Sequence, residues 1–216
     1  MRENWKSHPL YPPLLLGTVT LLASASLAWA ARATQAAIQQ AEARDLRDSL
    51  VQVLPAGFAD NDPAADSATV DIGGVAPLTV YRARRDGAVR GAMFGVSGKG
   101  YGGEIKILMG VDRAGAVLGV RILGHTETPG LGDKIEVAKS DWVERFAGKA
   151  LATSTWAVRK DGGDFDQFTG ATITPRAVVR AIREGLETFA RHKAEILDER
   201  HGGDARAAGR DRETSS

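Results

Sequence analysis

The sequence contains no cysteine. Disulfides, thiolate-ligated iron–sulfur clusters, c-type haem and cysteine zinc sites are therefore excluded within this chain. A chain of this kind that carries electrons would use an organic cofactor, with a flavin the foremost choice. Excess charge of one sign is also missing. Lys and Arg number 28 against 27 Asp and Glu, a net charge of +1, so the basic face or stripe of a nucleic-acid binder is not expected. The four histidines are scattered, with His8 and His201 in the terminal segments, which argues against a metal site. No internal repeat is present. What remains is a chain of 216 residues, enough for one sizeable domain with appendages.

Long apolar runs are also few, and one stands out: "LYPPLLLGTVTLLASASLAWAA", residues 10–31, has no charged residue. Its unbroken part, Leu14 to Ala31, is just long enough for a spanning helix at about 1.5 Å per residue. Two readings stay open. The segment is either a cleaved secretory signal, with Ala28 and Ala30 as the small residues of its cleavage site, or a retained anchor whose helix begins near Pro12 and Pro13. Either way the polar remainder is expected to be exported. Basic residues leave orientation undecided, since Arg2 and Lys6 precede the run while Arg32, Arg44 and Arg47 follow it.

Residues 32–53 are rich in helix formers, with a thin stripe of Ile38, Leu46, Leu50 and Val53, and are expected to form a helical stalk that stops at Pro55. A polar loop follows over 57–68. Runs at 69–72, 78–85, 88–97, 104–112 and 117–124 read as strands. Asp86-Gly87 marks a hairpin turn, and Ile105, Ile107 and Met109 share one face. Residues 133–149 give a broken helical pattern burying Trp142, Val143 and Phe146. The last helix has Val178, Val179, Ile182, Leu186 and Phe189 at three- and four-residue spacing, with Thr174 expected as its N-cap and Pro175 at its first position. The fold class expected is α+β: an antiparallel sheet packed with helices.

Two constellations could carry chemistry. In "DQFTGATITPR", residues 166–176, Asp166, Thr169, Gly170, Ala171 and Thr172 lie just before a helix N-terminus. Backbone N–H groups and the helix dipole make such a place a seat for phosphate, small residues let a bulky group approach, and a hydroxyl there could bind a phosphate or be esterified to one. A plain capping loop fits the same local pattern. In "HTETPGLGDKI", residues 125–135, Pro129-Gly130 predicts a tight turn, and Leu131 is oddly apolar for a loop, as if it lay against something flat. His125 and Glu127 could bond a ligand's polar edge, or sit at the surface of an ordinary turn.

Taken in order, "GYGGEIKILMGVD", "GHTETPGLGDKI", "SDWVERF" and "DFDQFTGATITPRAVVRAI" resemble the FMN-binding G subunit of Rnf ion-translocating electron transport complexes. The C subunit of the sodium-pumping NADH:quinone reductase is a related alternative. The most specific part resembles the flavinylation motif Asp-x-x-Ser/Thr-Gly-Ala-Thr, here Asp166, Thr169, Gly170, Ala171 and Thr172. The resemblance implies FMN joined by its phosphate to the Thr172 hydroxyl, placed there by a flavin transferase with FAD as donor and magnesium as its own cofactor. A phosphate tether lies far from the isoalloxazine ring, so redox tuning falls to groups packed around the ring; these are taken to be Glu127, Thr128, Gly130, Leu131 and Gly132, with Leu131 against the flavin face. The implied organisation is a cytoplasmic start and inner-membrane anchor over 1–31, a stalk over 32–56, a periplasmic FMN-binding domain over 57–200 and a disordered tail over 201–216. Implied partners are the membrane and iron–sulfur subunits of the complex, the transferase and membrane lipid, with no nucleic acid. In that setting the chain would pass electrons between NADH and ferredoxin chemistry while the complex moves ions. A membrane-anchored assembly module without a redox role and a free-standing exported flavoprotein are the alternatives.

Overall fold

A computed structural model describes residues 11–73 and 76–198. The basic start before the apolar run and the tail expected over 201–216 lie outside the described residues. The chain divides into two compact units, Met1–Asp45 and Leu46–Ser216. Helix α1 (Tyr11–Val53) supplies the described part of the first unit and the opening turns of the second. Prolines 12 and 13 are tolerated because they fall in its first turn, where N–H groups lack partners. Within the apolar run hydroxyls are bonded internally: those of Thr18, Thr20 and Ser26 donate to the carbonyls of Leu14, Leu16 and Ala23 at 2.8 Å each. A helix so composed is long and apolar enough to cross a membrane.

The second unit is built on a five-stranded antiparallel sheet in the order β1 (Ser67–Val70), β2 (Leu78–Arg85), β3 (Ala88–Lys99), β4 (Glu104–Asp112), β5 (Val117–Gly124). The Asp86-Gly87 step closes the β2–β3 hairpin with φ of 54° and 78°, the two positive angles that a twisted two-residue turn demands. Strand β1 ends two residues earlier than the pattern predicts. Asp71 turns its carboxylate onto the N–H of Gly73 at 2.9 Å, so the chain leaves the sheet in a local side-chain turn.

Alternation along the strands builds two cores. Phe94, Ile105, Ile107 and Met109 face helix α2 (Ile173–Arg191), against Val178, Val179, Ile182, Leu186 and Phe189. Met93 and Leu108, one residue out of phase, face the other way onto Leu50 and Val53. Gly119 permits that second contact, because a Cβ there would lie 3.1 Å from the carbonyl carbon of Val53. At the far end Arg82, only 1% exposed, donates from Nε to the Ile196 carbonyl at 3.1 Å and so closes the short helix α3 (Lys193–Ile196). Burial away from water holds its guanidinium below its ordinary pKa.

Residues 133–149 are not an α-helix. They form two short 3-10 turns, Asp133–Ile135 and Trp142–Phe146. Ser140 is the reason: its hydroxyl donates to the Lys134 carbonyl at 2.6 Å and accepts from the Trp142 N–H at 3.2 Å, replacing helical bonds with local ones. The apolar residues are nonetheless buried as expected, Trp142, Val143 and Phe146 among them. Phe146 stacks on Phe165 with centroids 4.6 Å apart, and Trp142 meets Phe146 and Phe168 edge-on at 5.2 Å each. This aromatic cluster is the floor on which residues 165–168 rest.

Candidate functional site

Three segments far apart in sequence meet around one cavity of about 340 Å³, lined by Tyr101, Glu127, Thr128, Leu131, Gly132 and the run Gly170 to Thr174. Each is placed by the fold: Tyr101 by the β3–β4 turn, residues 127–132 by the exit from β5, and 170–174 by the start of α2. The volume lies within the range of small-molecule sites, about 300–1,000 Å³.

The 127–132 wall is a turn in which the Thr128 carbonyl accepts from the N–H of Leu131 and Gly132 at 3.2 and 3.0 Å. Leu131 is left 43% exposed at the cavity edge. Gly130 shapes this turn without lining the cavity. Glu127, 5% exposed, holds the walls together. Its carboxylate accepts from the Tyr101 and Gly102 N–H groups at 3.2 and 2.8 Å and from the Thr174 hydroxyl. The approach of the glycine turn is so close that a Cβ on Gly102 would sit 2.7 Å from the Thr126 carbonyl carbon. His125 is occupied elsewhere: its Nδ1 accepts the Glu127 N–H at 3.1 Å, so Nε2 carries the proton donated to Glu136 at 2.8 Å. It supports the wall and does not line the cavity.

Helix α2 begins at Ile173, so Thr174 is not its N-cap. Thr174 is 1% exposed and spends its hydroxyl on Glu127. The cap position falls to Thr172, whose side chain makes no capping hydrogen bond. Its hydroxyl is uncommitted, half-buried in the cavity wall at a helix N-terminus where the first N–H groups have no helical partner. Gly170, at φ 82°, turns the chain into this position through a conformation that other residues seldom adopt.

Asp166 and Thr169 lie outside the lining. Thr169 is exposed. Asp166 is pinned by Arg145 at 2.5 Å and Arg159 at 2.9 Å, while its carbonyl accepts the Trp142 indole N–H at 2.7 Å. These bonds fix the entry to the 166–172 loop over the aromatic floor. Just beyond it, Arg176 and Asp161 form a two-bond pair at 2.5 Å each, which lowers the Asp161 pKa and raises that of Arg176.

Of the residues singled out from sequence, Glu127, Thr128, Leu131, Gly132, Gly170, Ala171 and Thr172 come together here. Tyr101, Ile173 and Thr174 were missed. The "GYGG" run reads as a break, and nothing local to Thr174 distinguishes a cap from a buried donor. That donor has a measurable role. Thr174→Val would leave the Glu127 carboxylate short of one hydrogen bond, and is expected to lower unfolding stability by about 1–3 kcal/mol in urea titrations.

Residues 100–187, which include every residue lining this cavity, match the FMN-binding domain family. Over 198 residues the chain is 53% identical to the G subunit of an ion-translocating oxidoreductase complex from Cereibacter sphaeroides, covering 90% of each chain. The chain belongs to the family of G subunits of ion-translocating oxidoreductase (Rnf) complexes. A second G subunit, from Stutzerimonas stutzeri, is 46% identical over 192 residues, 88% of this chain and 84% of that one. Among solved structures, the C subunit of the Na(+)-translocating NADH-quinone reductase from Parabacteroides distasonis superposes with a TM-score of 0.56 at 20% identity, covering 76% of this chain and 96% of that one. At that identity the likeness is one of fold, and it places this Rnf chain on the same sheet-and-helix scaffold.

Proposed function

We propose that this chain is an electron-carrying flavoprotein subunit of an ion-translocating complex, with FMN esterified through its phosphate to Oγ1 of Thr172. Family membership supports the flavoprotein and the complex. The observation that carries the linkage is the uncommitted Thr172 hydroxyl in the cavity wall at the N-terminus of α2. The residues fit the group: free N–H groups of the first helical turn suit a phosphate diester, and the turn at Gly170 and Ala171 leaves the oxygen approachable.

Attachment is an exchange of phosphate bonds. In a dedicated transferase with magnesium as its own cofactor, the Thr172 oxygen would displace AMP from the flavin-side phosphorus of FAD: one ester bond would form, the bond joining the two phosphates would break, and the hydroxyl proton would pass to solvent. FMN, once bound, supplies one- and two-electron chemistry. The chain's own residues hold and orient it. Thr172 fixes one end, Asp166 and its arginines fix the loop, and the wall from Glu127 to Gly132 borders the remainder, with Leu131 as its apolar edge. Retention is the benefit of the bond, since a tethered group rebinds at an effective concentration on the order of millimolar.

The apolar helix serves as a lipid-embedded anchor that keeps the domain on the periplasmic side of the inner membrane, beside its membrane and iron–sulfur partners in the complex. Electrons pass through it between NADH and ferredoxin chemistry while those partners translocate the ion. One measurement tests the central bond: intact mass and in-gel fluorescence of the chain purified from its native membrane. One esterified FMN per chain and a fluorescent band after denaturation are expected. An unmodified mass removes the linkage.

A further inference from the structure

Glu127 is a buried carboxylate that, among the described residues, has no Lys or Arg beside it. Two backbone N–H groups and one hydroxyl converge on it. Asp133, the other buried carboxylate among the described residues, has Lys139 at 3.8 Å. Burying a carboxylate without a counter-charge is costly, and hydrogen bonds offset that cost without neutralising the charge. A hydrogen-bonded neutral side chain would tie the same three segments together, so the charge itself calls for an explanation. Glu127 lines the cavity. An occupant of the cavity therefore lies beside Glu127, within a distance over which a charge shielded from water acts strongly.

We propose that Glu127 is a fixed negative charge that lowers the reduction potential of the flavin in this cavity. The inference rests on FMN occupying the cavity; it does not require the ester to Thr172. Reduction brings electrons, and with them negative charge, onto the flavin. A carboxylate fixed in the wall opposes that gain and favours the oxidised form. Because the Tyr101 and Gly102 N–H groups and Thr174 hold the oxygens in place, the charge cannot swing away as electrons arrive.

The test compares midpoint potentials of the full chain and its variants in detergent, by spectroelectrochemical titration. Glu127→Gln keeps the size and an acceptor oxygen but removes the charge. Glu127→Asp keeps the charge and disturbs the same hydrogen bonds. The neutral variant is expected to shift the equilibrium at least tenfold toward the reduced flavin, a rise of about 30 mV for a two-electron couple. The aspartate variant is expected to stay within about threefold of the parent, a separation that marks electrostatics and not local damage. No rise in Glu127→Gln, or an equal rise in both variants, overturns the proposal. The same pair is measured on a Thr172→Val background reconstituted with free FMN. Absence of a fluorescent band in the parent protein then condemns the ester alone, while the potentials still decide the role of the charge.

Discussion

Thr172→Val, coexpressed with the transferase, is expected to lose the covalent flavin entirely: no fluorescent band on a denaturing gel and no added mass. The expectation is all-or-none because valine keeps the shape of threonine and removes only the oxygen that would form the ester. The fold is expected to survive intact. The Thr172 hydroxyl caps nothing, and its backbone carbonyl, which accepts the Arg176 N–H at 3.3 Å, is unchanged. Unfolding stability should therefore stay within about 0.5 kcal/mol of the parent. Thr172→Ser keeps an oxygen at the same place and should retain the band. A variant that still fluoresces after denaturation would move the attachment to another residue. The neighbouring hydroxyls make the comparison sharp, since Thr174 is committed to Glu127 and Thr169 is outside the cavity lining.

The largest loss of stability is expected from Phe146→Ala. Phe146 is fully buried and contacts three other rings: Phe165 stacked at 4.6 Å, Trp142 edge-on at 5.2 Å and Trp156 at 6.2 Å. Removing such a ring costs about 3–5 kcal/mol through lost burial and the void left behind. In a domain of this size that corresponds to a fall of about 10 °C in Tm by calorimetry. The damage should not stay local. Phe165 and Phe168 rest on this cluster, and Asp166 between them leads into the Thr172 loop. The yield of flavin attachment on coexpression with the transferase is therefore expected to drop at growth temperatures where the sheet remains folded. A melting point within about 2 °C of the parent would show that the cluster relaxes around the deletion.

The sheet and α2 were legible because their signals are local. Alternation sorts Met93 from Phe94 and Leu108 from Met109 onto opposite faces, and Asp86-Gly87 states its own turn. The seven lining residues inferred from sequence belong to two short motifs, each compact in the chain. What escaped depends on partners distant in sequence. Thr174 looks like a cap until Glu127, 47 residues earlier, takes its hydroxyl. Tyr101 joins the cavity only because Gly102 packs on Thr126 and Glu127. The region 133–149 has the apolar spacing of a helix, but a single serine redirects its backbone, an effect that periodicity does not register. Asp166 could be read as a motif residue, whereas its two arginines could not.

Every strand of the sheet pairs with its immediate neighbour in the chain. Such pairings close short loops and therefore form quickly, one hairpin after another. The greater part of the domain can assemble in this way while the rest is still being made. The wall from Gly170 to Thr174 arrives only with α2, so the pocket is finished only after the sheet. Chains arrested before that step would have a complete sheet and no place for a prosthetic group.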